Sequence, residues 1–160
     1  MNAVAVEFVL NGRPESIEVR ANSLMLDVIR DHFGLTGAKR SCDAQVCGAC
    51  TILKDGVPVS ACTTLAADMD GAEILTIEGL AANDGELHPL QRSFVDMGGL
   101  QCGFCTPGFI LTAHALISDG ITREDELVEG LEGNICRCTG YRKIIDAVTV
   151  AAGVMTGERD

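Results

Sequence analysis

Cysteine is the residue type in this chain whose number and spacing point to chemistry. Cys42, Cys47 and Cys50 follow the pattern C-x4-C-x2-C, and Cys62 comes after a short gap. This is the plant-type ligand order for a [2Fe–2S] cluster. Cys102-x2-Cys105 and Cys136-x-Cys138 make a second foursome in the other half of the chain, and the two sets account for all eight cysteines. Such a cluster needs four thiolates converging on two irons, with the bridging sulfides shielded from water. A tight loop over residues 38–50 would gather the first three thiolates, its backbone N–H groups aimed at the sulfurs. Gly48 suits that loop, because the backbone must pass close to the cluster without a Cβ in the way. Cys62 would complete the set from just beyond a hairpin. In the second set, Cys102 and Cys105 come from a helix junction, and Cys136 and Cys138 from the loop before the last helix.

Two other readings compete. C-x2-C pairs also make tetrahedral zinc sites, so Cys102, Cys105, Cys136 and Cys138 taken alone fit zinc as well. The C-x4-C-x2-C loop is less ambiguous, because zinc modules usually pair their ligands as two knuckles. A disulfide framework belongs to secreted chains, whereas the start Met1-Asn2-Ala3-Val4 has neither a basic-then-apolar signal nor a twin-Arg. Cytoplasmic location is the expectation. A net charge of −11 argues against nucleic acid, which needs clustered Lys and Arg. No apolar run approaches the roughly 20 residues that span a bilayer. His32, His88 and His114 read as structural or exposed, and Glu124, Asp125, Glu126, Glu129 and Glu132 as a solvated helix face. Lys39 and Arg40 sit beside the first loop, suited to a partner's acid or to plain surface. Neither a nucleophile–base constellation nor a Gly-rich phosphate loop is visible, so no catalytic residue is expected on this chain.

The elements that must hold these thiols can be read in order. Residues 4–10 are β-rich and end at Asn11-Gly12, a strong hairpin signal, after which Ile17 and Val19 alternate on one face. Asn22 or Ser23 would cap a helix through Leu24, Leu26, Val28, Ile29 and Phe33, stopped by Gly34. A second hairpin turns at Asp55-Gly56, and residues 73–77 read as a last strand. This order predicts an α+β domain with one helix across a small mixed sheet, the layout of a β-grasp among other α+β folds. Periodicity lapses over residues 78–88, giving a linker and two domains, 1–79 and 80–160. The second half reads as four helices, a small four-helix bundle. Pro89 opens one over residues 90–97, ended by Gly98-Gly99; Thr106 and Pro107 open the next, to residue 117. Thr122 and Asp125 suggest a capping box for a third to Leu131, and Thr139 or Gly140 begins the last, to residue 154.

Three stretches carry a resemblance: Ala49-Cys50-Thr51, Gln101-Cys102-Gly103-Phe104-Cys105-Thr106-Pro107-Gly108, and Gly133-Asn134-Ile135-Cys136-Arg137-Cys138-Thr139-Gly140-Tyr141, with Leu87-His88-Pro89-Leu90-Gln91 in support. They resemble the iron–sulfur subunit of the xanthine oxidase family of molybdenum hydroxylases, over residues 4–151. The resemblance is to the separate small subunits of carbon monoxide dehydrogenases, 4-hydroxybenzoyl-CoA reductases and N-heterocycle dehydrogenases. It implies a plant-type ferredoxin-like β-grasp domain, a four-helix domain and two [2Fe–2S] clusters. It also implies a large partner subunit with molybdopterin and a medium one with FAD, in a heterotrimer or a dimer of heterotrimers. Electrons would pass from molybdenum through Cys102, Cys105, Cys136 and Cys138, then through Cys42, Cys47, Cys50 and Cys62, to FAD. By the same resemblance, Gln101 and Cys138 match positions that contact the pterin. Many members have Gly just before the first Cys and again three residues after it. Ser41 and Gln45 stand there in this chain, and Gln45 should make the loop bulkier.

Overall fold

A computed structural model describes residues 3–81 and 85–157. Two hairpins frame the first half. β1 (Ala3–Leu10) pairs antiparallel with β2 (Arg13–Arg20), from Ala3 opposite Arg20 to Leu10 opposite Arg13. Asn11 (φ 51°) and Gly12 (φ 77°) form the turn, both left-handed, as the tight hairpin requires. β3 (Thr51–Lys54) and β4 (Val57–Ser60) repeat the device with Asp55 at φ 50° and Gly56 at φ 82°. β5 (Glu73–Leu75) runs parallel to β1 and antiparallel to β3, giving a mixed sheet in the order β2-β1-β5-β3-β4. It stops before the expected residue 77 because the buried Thr76 leaves the sheet. Its N–H donates to Asn11 Oδ1 (2.9 Å) and its hydroxyl accepts from Asn11 Nδ2 (3.0 Å). A 3₁₀ turn follows at once over Ile77–Gly79.

The expected single helix over residues 24–33 is a shorter and wider object. α1 covers Met25–Asp27, with Leu24 at its cap in place of Asn22 or Ser23, and passes into a π turn over Val28–His32. The wide turn keeps Met25, Leu26 and Ile29 fully buried under the sheet and lets Phe33 meet the Phe8 ring edge-on at 5.9 Å. Arg30, on that turn, donates to the carbonyls of Thr36 (3.0 Å) and Ala38 (2.7 Å). The π turn therefore fixes the entrance to the cysteine loop, in keeping with the tendency of such turns to sit at functional sites.

The second half is helical: α2 (Pro89–Asp96), α3 (Thr106–Ser118), α4 (Glu124–Gly130) and α5 (Arg142–Thr156). His88 caps α2 by accepting from Leu90 N, and Gln91 Oε1 accepts from His88 N at 3.0 Å. The other starts differ from expectation. Cys105, not Thr106, precedes α3, and Arg123 precedes α4 without a side-chain cap. α5 begins after Tyr141, which is left-handed at φ 69°. Residues 82–84 of the expected linker lie outside the described residues.

Two cores form. Phe8, Met25, Ile29, Ile52 and Ile74 anchor the first; Leu90, Phe94, Phe109, Leu127, Ile144 and Val148 anchor the second. A third, smaller cluster, Leu53 of β3 with Leu111 and Ala115 of α3, packs the helix against the sheet. α3 is consequently buried on nearly every side, which explains why its sequence has no apolar stripe. Among the described residues no helix is long and apolar enough to cross a membrane.

Candidate metal centres

The first loop is shaped by its backbone. Asp43 (φ 50°), Gln45 (φ 57°) and Gly48 (φ 67°) are all left-handed, and this folds residues 42–50 back on themselves. Val46 N donates to Cys42 Sγ at 3.4 Å. The N–H groups of Ala44, Val46 and Cys47 together hold the Cys42 thiol down to about 6. The bulk of Gln45 is accommodated by an anchor: its Oε1 accepts from Thr63 Oγ1 at 3.3 Å. Arg40 braces the loop, pairing with Asp43 (2.7 Å) and with Asp27 of α1. The pairing takes up the Arg40 charge within the chain. Cys50 and Cys62 lie buried beneath the loop, and burial, with the neighbouring Cys62, pushes the Cys50 thiol up to about 11.

The second site is shaped by side chains. Cys138 Sγ lies 3.6 Å from Cys102 Sγ, both exposed. Two sulfurs on one tetrahedral metal with bonds of about 2.3 Å stand about 3.8 Å apart, so this pair fits a shared metal without rearrangement. Cys105 and Cys136 are buried and in mutual contact. Burial pushes Cys105 up to about 12. Cys136 is also raised by burial, but the Thr139 hydroxyl donates to its Sγ at 3.1 Å and nearby N–H groups assist, leaving it at about 7. Tyr141 completes the frame: its hydroxyl accepts from Cys136 N (3.0 Å) and its own N–H donates to Thr139 Oγ1 (3.2 Å).

The thiols thus approach one another as Cys42/Cys47, Cys50/Cys62, Cys102/Cys138 and Cys105/Cys136. Pairs suit a cluster in which each of two irons takes two thiolates; one zinc draws four ligands to a single point. Both sites contribute to one cavity of about 290 Å³, lined by Cys47 and by all four thiols of the second set.

Comparison with known proteins agrees with this geometry. Residues 17–96 match a family described as a 2Fe-2S iron-sulfur cluster binding domain, and residues 76–149 one described as a [2Fe-2S] binding domain. The chain is 45% identical to the nicotinate dehydrogenase small FeS subunit of Eubacterium barkeri, covering 94% of this chain and 96% of that one. This chain belongs to the iron–sulfur subunits of the xanthine oxidase family. It is an electron-transfer subunit of an oxidoreductase. The iron–sulfur subunit is also 46% identical to the nicotine 6-hydroxylase small subunit of Paenarthrobacter nicotinovorans, over 94% of this chain and 90% of that one. It superposes on quinoline 2-oxidoreductase from Pseudomonas putida 86 with a TM-score of 0.90 and 42% identity, over 98% of this chain and 99% of that one.

The remaining candidates in this iron–sulfur subunit have structural places. His88 and His114 meet edge-to-face at 5.1 Å, and burial lowers both. His32 packs edge-on against Phe33 at 4.8 Å. Asp125 and Glu124 of the acidic run pair with Arg123 and Arg142. Gln101 is exposed beside Cys102. Sequence reasoning missed Asn134, Thr139 and Tyr141 as site residues; their presence in the GN-x-CRCTGY stretch was the available signal.

Proposed function

We propose that this chain holds two [2Fe–2S] clusters, one on Cys42, Cys47, Cys50 and Cys62 and one on Cys102, Cys105, Cys136 and Cys138. It passes electrons from a molybdopterin centre on a large partner subunit, through the second site and then the first, to FAD on a medium subunit. When bound, such clusters supply one-electron redox chemistry. The chain's own residues place the thiolates, aim N–H and O–H groups at sulfur, and exclude water from the inner pairs. The observation that supports passage through both sites is that Cys47 and all four thiols of the second set line one cavity, with Cys102, Cys138 and Gln101 exposed at the second site and Cys42 at the first, open to partners.

On the same reading the chain comprises a β-grasp domain over residues 1–79 and a four-helix-bundle domain over 80–160. The separate cores below and above that boundary support it. Gln101 and Cys138 would contact the pterin. A heterotrimer, or a dimer of heterotrimers, accords with relatives named as small subunits. Eight free cysteines suit the reducing cytoplasm. Those relatives act on different compounds by name, nicotinate and nicotine, while matching this chain equally well. The substrate is therefore set by a partner chain.

The test is metal and flavin analysis of the complex that purifies with a tagged form of this chain. Roughly four irons per chain, as two clusters require, with about one molybdenum and one flavin, are expected. Iron alone would indicate a free-standing ferredoxin, and zinc in place of iron a structural module. Either would overturn the proposal.

A further inference from the structure

Between the two thiol sites the chain makes a joint of its own. Ile135 N donates to Cys47 O at 3.0 Å, linking the residue before Cys136 to a thiol of the first loop. Beside it, Asn134 Nδ2 donates to Gly48 O at 3.3 Å. Asn134 is only 5% exposed, one of few buried polar side chains. Gly48 O also accepts from Thr51 N (3.2 Å) and Thr51 Oγ1 (2.8 Å), so one carbonyl ties the loop to β3 and to the second half. Two glycines make the approach close enough. A Cβ on Gly48 would meet the Asn134 amide and Gly133 O, and a Cβ on Gly108 of α3 would meet Gly48 O. The sequence reading assigned Gly48 to the cluster; the structure shows that it also makes room for Asn134.

We propose that Asn134 is a positioning residue for electron passage between the two sites. Its amide holds the Gly48 carbonyl and thereby keeps the adjacent Cys47–Ile135 hydrogen bond engaged. That bond gives a mainly covalent route from Cys136 Sγ, back along its backbone to Ile135 N, across to Cys47 O and on to Cys47 Sγ. Tunnelling falls steeply with each through-space gap, so a bridge that replaces a gap by a hydrogen bond governs both coupling and rate. A donor is needed at this position, because a carboxylate would face the carbonyl oxygen without a proton to share. Ring-free and short, Asn also fits where the glycines leave space. The inference rests on the cluster assignment above.

The experiment uses the intact complex carrying Asn134→Asp, nearly isosteric but without the donor, and Asn134→Ala. Each is compared with wild type for iron content, for the EPR spectrum of each cluster and their magnetic splitting after full reduction with dithionite, and for the rate of intercluster electron transfer in the complex reduced by one electron. The expected result is full iron and two unchanged sets of g-values, with a narrowed splitting and a slower transfer in both variants. Midpoint potentials should not move, which separates positioning from tuning. Unchanged splitting and rate would overturn the proposal. Loss of iron in both variants would overturn it too, since Asn134 would then support the fold and not the bridge. Absence of iron–sulfur signals from wild type would instead sink the cluster assignment.

Discussion

The two thiol sites reach the same pairing of sulfurs by different means. The first relies on main-chain conformation: three left-handed residues coil the loop, N–H groups address Cys42, and side chains such as Arg40 and Thr63 only brace it. At the second, the Thr139 hydroxyl donates to Cys136 Sγ alongside nearby amides, and the Tyr141 hydroxyl holds the Cys136 backbone by accepting from its N–H. A backbone donor cannot be removed without refolding the loop, whereas a hydroxyl can be lost by one substitution. Tuning by mutation is thus open at the second site and largely closed at the first.

The severest break in this comparison is removal of a ligand. Cys105→Ser should cost the second cluster and leave the first, halving iron from roughly four to two per chain, with one EPR signal lost. Equal loss of both signals would show that the sites do not assemble independently. Next in size, Gly108→Ala drives a methyl into the Gly48 carbonyl at the joint. Overpacking of this kind costs about 1–3 kcal/mol, to be read as a lower denaturation midpoint of the complex.

Thr139→Val keeps the shape and removes the donor to Cys136 Sγ. A thiolate deprived of a hydrogen bond is more electron-rich, so the second cluster's potential should fall while the first stays fixed. Thr139→Ser should restore it, and EPR-monitored redox titration decides. The gentlest test uses the chain stripped of iron. Thiolate, the form that alkylates, grows as pH rises through each thiol's pKa. Cys42 should therefore label with a midpoint near 6 and Cys136 near 7, while Cys50 (about 11) and Cys105 (about 12) stay protonated and unlabelled at pH 8. The lowered Cys136 value also favours the folded, iron-free chain at high pH, and that contribution is lost as pH falls through about 7. Peptide mass spectrometry after brief iodoacetamide treatment reads all four.

Much of this was legible before any coordinates. Asn11-Gly12 and Asp55-Gly56 fixed both hairpins because positive φ is a local demand that few residue types meet. The two cysteine foursomes stood out because metal chemistry constrains spacing. The π turn at Val28–His32 was not, since its apolar positions read equally well as an ordinary helix and the choice was made by packing against Phe8. Tyr141 gave no sign of its left-handed backbone, which is imposed by hydrogen bonds to Thr139 and Cys136. Nor could Asn134 be paired with Gly48, 86 residues away, by any local period.

α3 has a consequence of another kind. It begins just after Cys105, runs along β3, and gives side chains to the second core and to the small cluster it shares with Leu53 of β3. A segment packed into one half and against a strand of the other cannot fray on behalf of one alone. Local opening of either half must expose Leu111 and Ala115 to water, which charges the loss to both. For a cell that screens its proteins by digesting whatever opens, such a chain presents one object to be kept or destroyed whole.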